Sequence, residues 1–101
     1  MGSDVKLPEF RLIPEPASDE AAAVPPFKWA EPEIGKRHKI GGEPQFIQKP
    51  EWPYCPTCRK KMTYYGQLDS ISDDICIADC GMVFVFICFD CYESKSIIQS
   101  S

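Results

Sequence analysis

Cysteine is the residue of this chain most able to do chemistry, and four of its six cysteines stand in two close pairs. Cys55-Pro56-Thr57-Cys58 and Cys88-Phe89-Asp90-Cys91 are C-x-x-C units, in which a tight turn aims two sulfurs at one point. Two such units brought together supply the tetrahedral four-thiolate set that zinc accepts at ~2.3 Å per bond. Cys55, Cys58, Cys88 and Cys91 are therefore expected to hold one structural Zn2+ ion. The 29 residues between the pairs exceed the roughly 15–20 of a usual zinc ribbon, which leaves room for an extra hairpin.

Other uses of the thiols fit less well. A redox C-x-x-C normally opens a helix in a βαβ unit, whereas the first pair here runs into Arg-Lys-Lys-Met-Thr-Tyr-Tyr, a sequence suited to a strand. A disulfide framework would want a secreted location, which the sequence does not support. Cys76 and Cys80 are left over and read as small buried hydrophobes rather than ligands. Arg59, Lys60 and Lys61 follow Cys58 directly. They either offset the −2 charge of a zinc tetrathiolate or form an ordinary solvated basic turn.

Catalysis has no natural cast. The chain has one histidine, His38, no G-x-S-x-G and no partnered nucleophile. Asp69, Asp73, Asp74 and Asp79 match no calcium loop and read as a solvated acidic face. The formal charge is −4 and the isoelectric point is near 4.9, so the surface should repel phosphate backbones and attract basic partners. Four thiolates and one divalent ion would take the charge to about −6.

The elements that must position the cysteines divide the chain in two. Nine of ten prolines precede the first cysteine, and all six cysteines follow Pro53. Proline removes a backbone donor and fixes φ, so residues 1–37 are expected to run extended and pack on a β domain spanning 38–101. Alternation from Val5 to Ile13 suggests one edge strand. Ser18 can cap a short helix through Ala21-Ala22-Ala23 that Pro25-Pro26 stops. Phe27, Trp29, Phe46, Ile47 and Trp52 are expected to peg this half onto the zinc half, and Gly41-Gly42 to turn. Strands are expected at Phe46–Gln48, at Lys61–Leu68 with a break or bulge at Gly66, around Ile75 and Ile77, at Met82–Phe89 and at Ile97-Ile98. The apolar run from Met82 reads as a strand buried on both faces. The expected fold is mainly β: a small antiparallel sheet with a zinc-ribbon-like four-cysteine site and an extended proline-rich N-terminal segment. No stretch resembles a signal peptide or a membrane span, so the expectation is a soluble cytoplasmic chain.

Several motifs in one order add a family likeness. His38-Lys-Ile-Gly41-Gly42-x-Pro44, Phe46-Ile-Gln48, Cys55-Pro-x-Cys58 with Met62, Gln67-Leu-Asp-Ser70, Asp79-x-Gly81, Val85-Phe-x-Cys88-x-x-Cys91 and Gln99 resemble the C-terminal segment of the YwqG-like family of bacterial proteins. The likeness covers about His38 to Ser101. It implies a β-rich fold in a soluble bacterial protein, and small chains of this kind look like immunity proteins that block one toxin domain. Its zinc role extends only to Cys55, Cys58, Cys88 and Cys91. The family usually has Gly after the second cysteine of each knuckle, where this chain has Arg59 and Tyr92, so altered knuckle hydrogen bonding is expected.

The resulting expectation is a non-enzymatic, zinc-stabilised immunity protein that occludes a basic toxin domain. The alternative is a zinc-ribbon nucleic-acid-binding or general interaction module. A basic patch of Lys36, Arg37, Lys39 and Arg59 to Lys61 under Tyr64 and Tyr65 would serve nucleic acid, but net acidity opposes it.

Overall fold

The computed structural model describes residues 6–29 and 32–100. Five antiparallel strands form one sheet in the order β1-β2-β3-β4-β5: β1 Phe10–Arg11, β2 Lys39–Ile40, β3 Thr63–Asp69, β4 Met82–Ile87 and β5 Ser94–Gln99. The fold is mainly β, as the alternating and β-branched segments imply. Of the expected N-terminal edge strand, Phe10 and Arg11 pair with β2, the Leu12 amide donates to the His38 carbonyl at 3.0 Å, and Val5 lies outside the described residues. One short helix, α1 (Asp19–Ala22), follows Ser18, whose hydroxyl accepts the Ala21 amide at 3.1 Å as an N-cap.

β4 is an interior strand and pairs with β3 and β5 along its whole length. Its burial alternates. Met82, Phe84 and Phe86, with Cys88 beyond them, are fully buried on one face, while Val83, Val85 and Ile87 are half-buried on the other. The expectation of burial on both faces is thus corrected, because only one face has a covering layer.

That layer is the irregular stretch 46–52. Phe46 lies 5.0 Å from Phe84 between ring centroids, Trp52 lies 5.4 Å from Phe86, and the Trp52 indole donates to the Met62 carbonyl at 2.6 Å. Phe46, Ile47 and Trp52 are therefore pegs, as expected. Trp29 is not: it is 94% exposed. Phe46–Gln48 forms no strand either. The amides of Ile47 and Gln48 both donate to Oε1 of buried Gln99 at 2.9 Å, so a side chain replaces a sheet ladder.

β3 carries the bulge expected near Gly66. Tyr64 pairs with Phe86 and Gly66 with Val85, leaving Tyr65 as the extra residue. The bulge reverses the phase of the strand. Tyr64, Gln67 and Asp69 face the core, and Leu68 is pushed out to 49% exposure. Gly66 is required there, since a Cβ would sit 2.5 Å from the Lys39 carbonyl oxygen on β2. Gly41 turns the chain at φ 77°, close against the Pro8 carbonyl.

The segment between β3 and β4 is turns and bends, so the strand expected around Ile75 and Ile77 is absent. Cys76 is exposed and Cys80 half-buried, which corrects their reading as buried hydrophobes. No helix among the described residues is long and apolar enough to cross a membrane.

Candidate metal centre

Each C-x-x-C unit sits at the tip of a hairpin. The first is flanked by the bridge Tyr54 to Lys61, the second by the pair Ile87 and Ser94, and each encloses six residues with cysteine at the first and fourth places. The hydrogen bonds match as well. The Cys55 amide donates to the Lys60 carbonyl at 2.8 Å and the Arg59 amide to the Cys55 carbonyl at 2.8 Å; the Cys88 amide donates to Glu93 at 2.8 Å and the Tyr92 amide to Cys88 at 2.7 Å. Arg59 and Tyr92 take left-handed φ of 64° and 57° in the place where glycine is usual. Both non-glycine residues accept the strained conformation, and the two knuckles share one hydrogen-bond pattern.

Since β3 and β4 are neighbours, the two tips meet. One sulfur from each of Cys55, Cys58, Cys88 and Cys91 lies within 4.8 Å of every other, with Cys55 and Cys88 buried and Cys58 and Cys91 half-buried. Cys58 Sγ and Cys88 Sγ are 3.7 Å apart. That separation is far too long for a disulfide, which needs ~2.05 Å. It matches the edge of a tetrahedron with ~2.3 Å metal–sulfur bonds, about 3.8 Å. The four predicted ligands can hold a metal ion.

Crowding also shifts the thiols. Cys91 is pushed up to about 12, first by its hydrogen bond with Cys58 and then by burial and by Cys55. The Lys60 amide pulls Cys58 down, but burial and the thiols of Cys88 and Cys55 outweigh it, so the net direction is up. Four sulfurs packed this closely resist joint ionisation until a cation compensates them.

Contacts between the knuckles reinforce the cluster. Lys60 of the first reaches Asp90 of the second at 3.2 Å, and Thr57 Oγ1 reaches Glu93 at 3.4 Å. Asp90 first, then Cys58 and Cys88, raise the Lys60 ammonium above its usual range. Lys61 lies 4.3 Å from the Trp52 ring centroid as a cation–π contact. Arg37 is bonded to Asp69 and Lys39 to Glu9 at 3.0 Å, so four of the six cations of the expected basic patch already have partners within the chain.

Reading the sequence alone missed a set of buried polar anchors. Gln67 accepts from the Gln45 amide at 3.1 Å and the Tyr64 hydroxyl, and donates to the Arg37 carbonyl at 2.8 Å. Gln99 donates to the Lys49 carbonyl at 2.7 Å. Asp69 accepts the Gly35 amide at 2.7 Å and a bidentate Arg37 guanidinium at 2.8 and 2.7 Å. The Asp69 amide donates to His38 Nδ1 at 3.0 Å, leaving the imidazole proton on Nε2. The signal that could have found them is polar residues at strand positions next to apolar ones.

Comparison with known proteins gives one alignment of weight. Over 65 residues the chain is 31% identical to a Salmonella typhimurium protein described as "Uncharacterized protein YpfL", covering 62% of this chain. The chain spans only 15% of that protein's length. No family model and no solved structure matches.

Proposed function

We propose that this chain is a zinc-stapled binding protein without catalytic activity, acting as an immunity-type inhibitor of a basic toxin domain. The observation that carries the first half is the 3.7 Å sulfur edge within a four-cysteine cluster spanning at most 4.8 Å. A donor set of four cysteines suits zinc, the soft thiolates and closed tetrahedron being those of structural sites. The ion would tie the tips of two hairpins that share one small core, the size of domain that usually needs such a staple.

Three observations support a binding role. Gln67, Asp69 and Gln99 are engaged with the chain's own loops, and these are scaffolding rather than reaction chemistry. Leu68, Val83 and Ile98 stand opposite one another across β3, β4 and β5 on the face away from the core, with Leu68 and Ile98 49% and 60% exposed. Such an uncharged row is the kind of anchor a protein partner covers. The net charge of −4 favours a basic partner and speeds its encounter. The likeness of the His38–Ser101 motifs to YwqG-like proteins points the same way.

The test combines metal analysis with binding. Purified, reduced protein should contain one equivalent of zinc. It should bind and inhibit the toxin domain encoded beside it, with association slowing as salt rises. Leu68→Asp with Ile98→Asp should abolish binding and leave the zinc content unchanged. Absence of binding and protection overturns the inhibitor reading, and steep salt-dependent binding to RNA or DNA replaces it with the nucleic-acid module.

A further inference from the structure

Two thiols stand apart from the metal cluster, in the turns between β3 and β4. Cys76 is exposed and Cys80 half-buried. The Cys80 amide donates to Cys76 Sγ at 3.2 Å, and Cys76 Sγ in turn donates to the Ala78 carbonyl at 3.3 Å. With an N–Cα bond of about 1.46 Å, the Cys80 Cα lies within about 4.7 Å of the Cys76 sulfur. The chain doubles back here because Ala78 and Cys80 are both left-handed, at φ 54°, and because the Gly81 amide closes onto the Ile77 carbonyl at 2.8 Å. One cysteine's sulfur is thus held against the other's backbone, which brings the two thiols into one neighbourhood.

We propose that Cys76 and Cys80 form a reversible dithiol–disulfide site, independent of the metal centre, that exchanges with small disulfides of the glutathione type. Cys76 is the entering group, being the exposed thiol and the one the Cys80 amide orients. Its thiolate attacks one sulfur of glutathione disulfide and forms a mixed disulfide. The expelled glutathione thiolate takes up the proton that Cys76 lost. Cys80 then gives its proton to solvent and attacks the Cys76 sulfur, and the second glutathione leaves as a thiolate that is protonated in turn. Two protein thiols are oxidised by two electrons, and one glutathione disulfide is reduced to two glutathiones. Burial first, and then the neighbouring Cys76, hold the Cys80 thiol above its usual range, so it stays protonated while Cys76 makes the first attack.

Closure would stiffen a segment with two attachments. The Cys80 carbonyl accepts from Arg37 at 3.2 Å, the same guanidinium that grips Asp69. Ile71 and Ile75 line a mainly apolar groove of about 630 Å³ together with Pro14, Val24 and Pro25.

The experiment titrates the full metal-loaded chain with glutathione disulfide and reads peptide masses, free thiols and bound metal together. The expected product is a Cys76–Cys80 link with loss of two hydrogens, formed while the metal stays bound. Cys80→Ser should instead accumulate a stable glutathione adduct on Cys76, and Cys76→Ser should leave Cys80 a free thiol. The proposal is overturned if the unsubstituted chain keeps both thiols free, if it stops at glutathione adducts, or if the metal cysteines oxidise first.

Discussion

Arg59 and Tyr92 occupy equivalent places in two knuckles and share one backbone state, φ 64° and 57°, although neither is the glycine that state favours. Each donates its amide back to the first cysteine of its own knuckle, at 2.8 and 2.7 Å, so the strain is held by the turn that presents the sulfurs. A left-handed residue with a side chain costs about 1–2 kcal/mol, and glycine returns part of that gain as chain entropy. Arg59→Gly and Tyr92→Gly are each expected to stabilise the metal-loaded protein by about 0.5–1 kcal/mol. Thermal unfolding should show the midpoint rising, and a fall would contradict the strain.

Metal removal tests the staple itself. Structural zinc in small peptides contributes roughly 10–16 kcal/mol of apparent binding free energy, coupled to folding. A strong chelator is therefore expected to unfold the sheet, with loss of the native circular dichroism signal. Thiol titration should find Cys76 and Cys80 reactive before chelation and all six cysteines reactive after it. Cys55→Ser or Cys88→Ser should reproduce the chelated state.

Asp69 makes one part of the stability depend on pH in acid. Burial alone would raise its carboxyl, but the Arg37 guanidinium and the amides of Gly35 and Arg37 outweigh burial and hold it below the usual range. Its folded pKa is thus depressed. The contribution is complete above the ordinary aspartate value of about 3.9 and is lost as pH falls through the lower folded value. Asp69→Asn leaves Arg37, whose side chain is only 16% exposed, without its counter-charge and is expected to cost about 3–5 kcal/mol near neutral pH. Denaturation midpoints measured from pH 7 downward should show this gap closing in acid, where the parent carboxylate is also protonated.

Gln99 pins the layer that covers the core. Gln99→Ala would strip partners from the Ile47 and Gln48 amides and from the Lys49 carbonyl, at about 0.5–1.5 kcal/mol for each hydrogen bond lost. Hydrogen exchange should quicken at Ile47 and Gln48 while the β3–β4 ladder stays protected. Equal loss across the sheet would mean that the stretch 46–52 is not a separate unit.

The four-cysteine site, the mainly β character, the capped helix turn at Ser18 and the glycine turn at Gly41 were legible from residue type and short spacing alone. Each depends on chemistry within a few positions: two sulfurs on one turn, a hydroxyl before three amides, a backbone free of Cβ. What the tertiary structure alone decided is set by partners far apart along the chain. The bulge at Tyr65 turns Leu68 outward and Gln67 and Asp69 inward, against the alternation a plain strand would follow. Gln99 draws the amides of Ile47 and Gln48 to its side chain, so a segment with strand composition joins no ladder. Cys76 and Cys80 remain accessible because the chain around Ile75 and Ile77 turns instead of entering the sheet. Buried hydrogen-bonding groups must find partners wherever the fold supplies them, and local sequence does not say where that is.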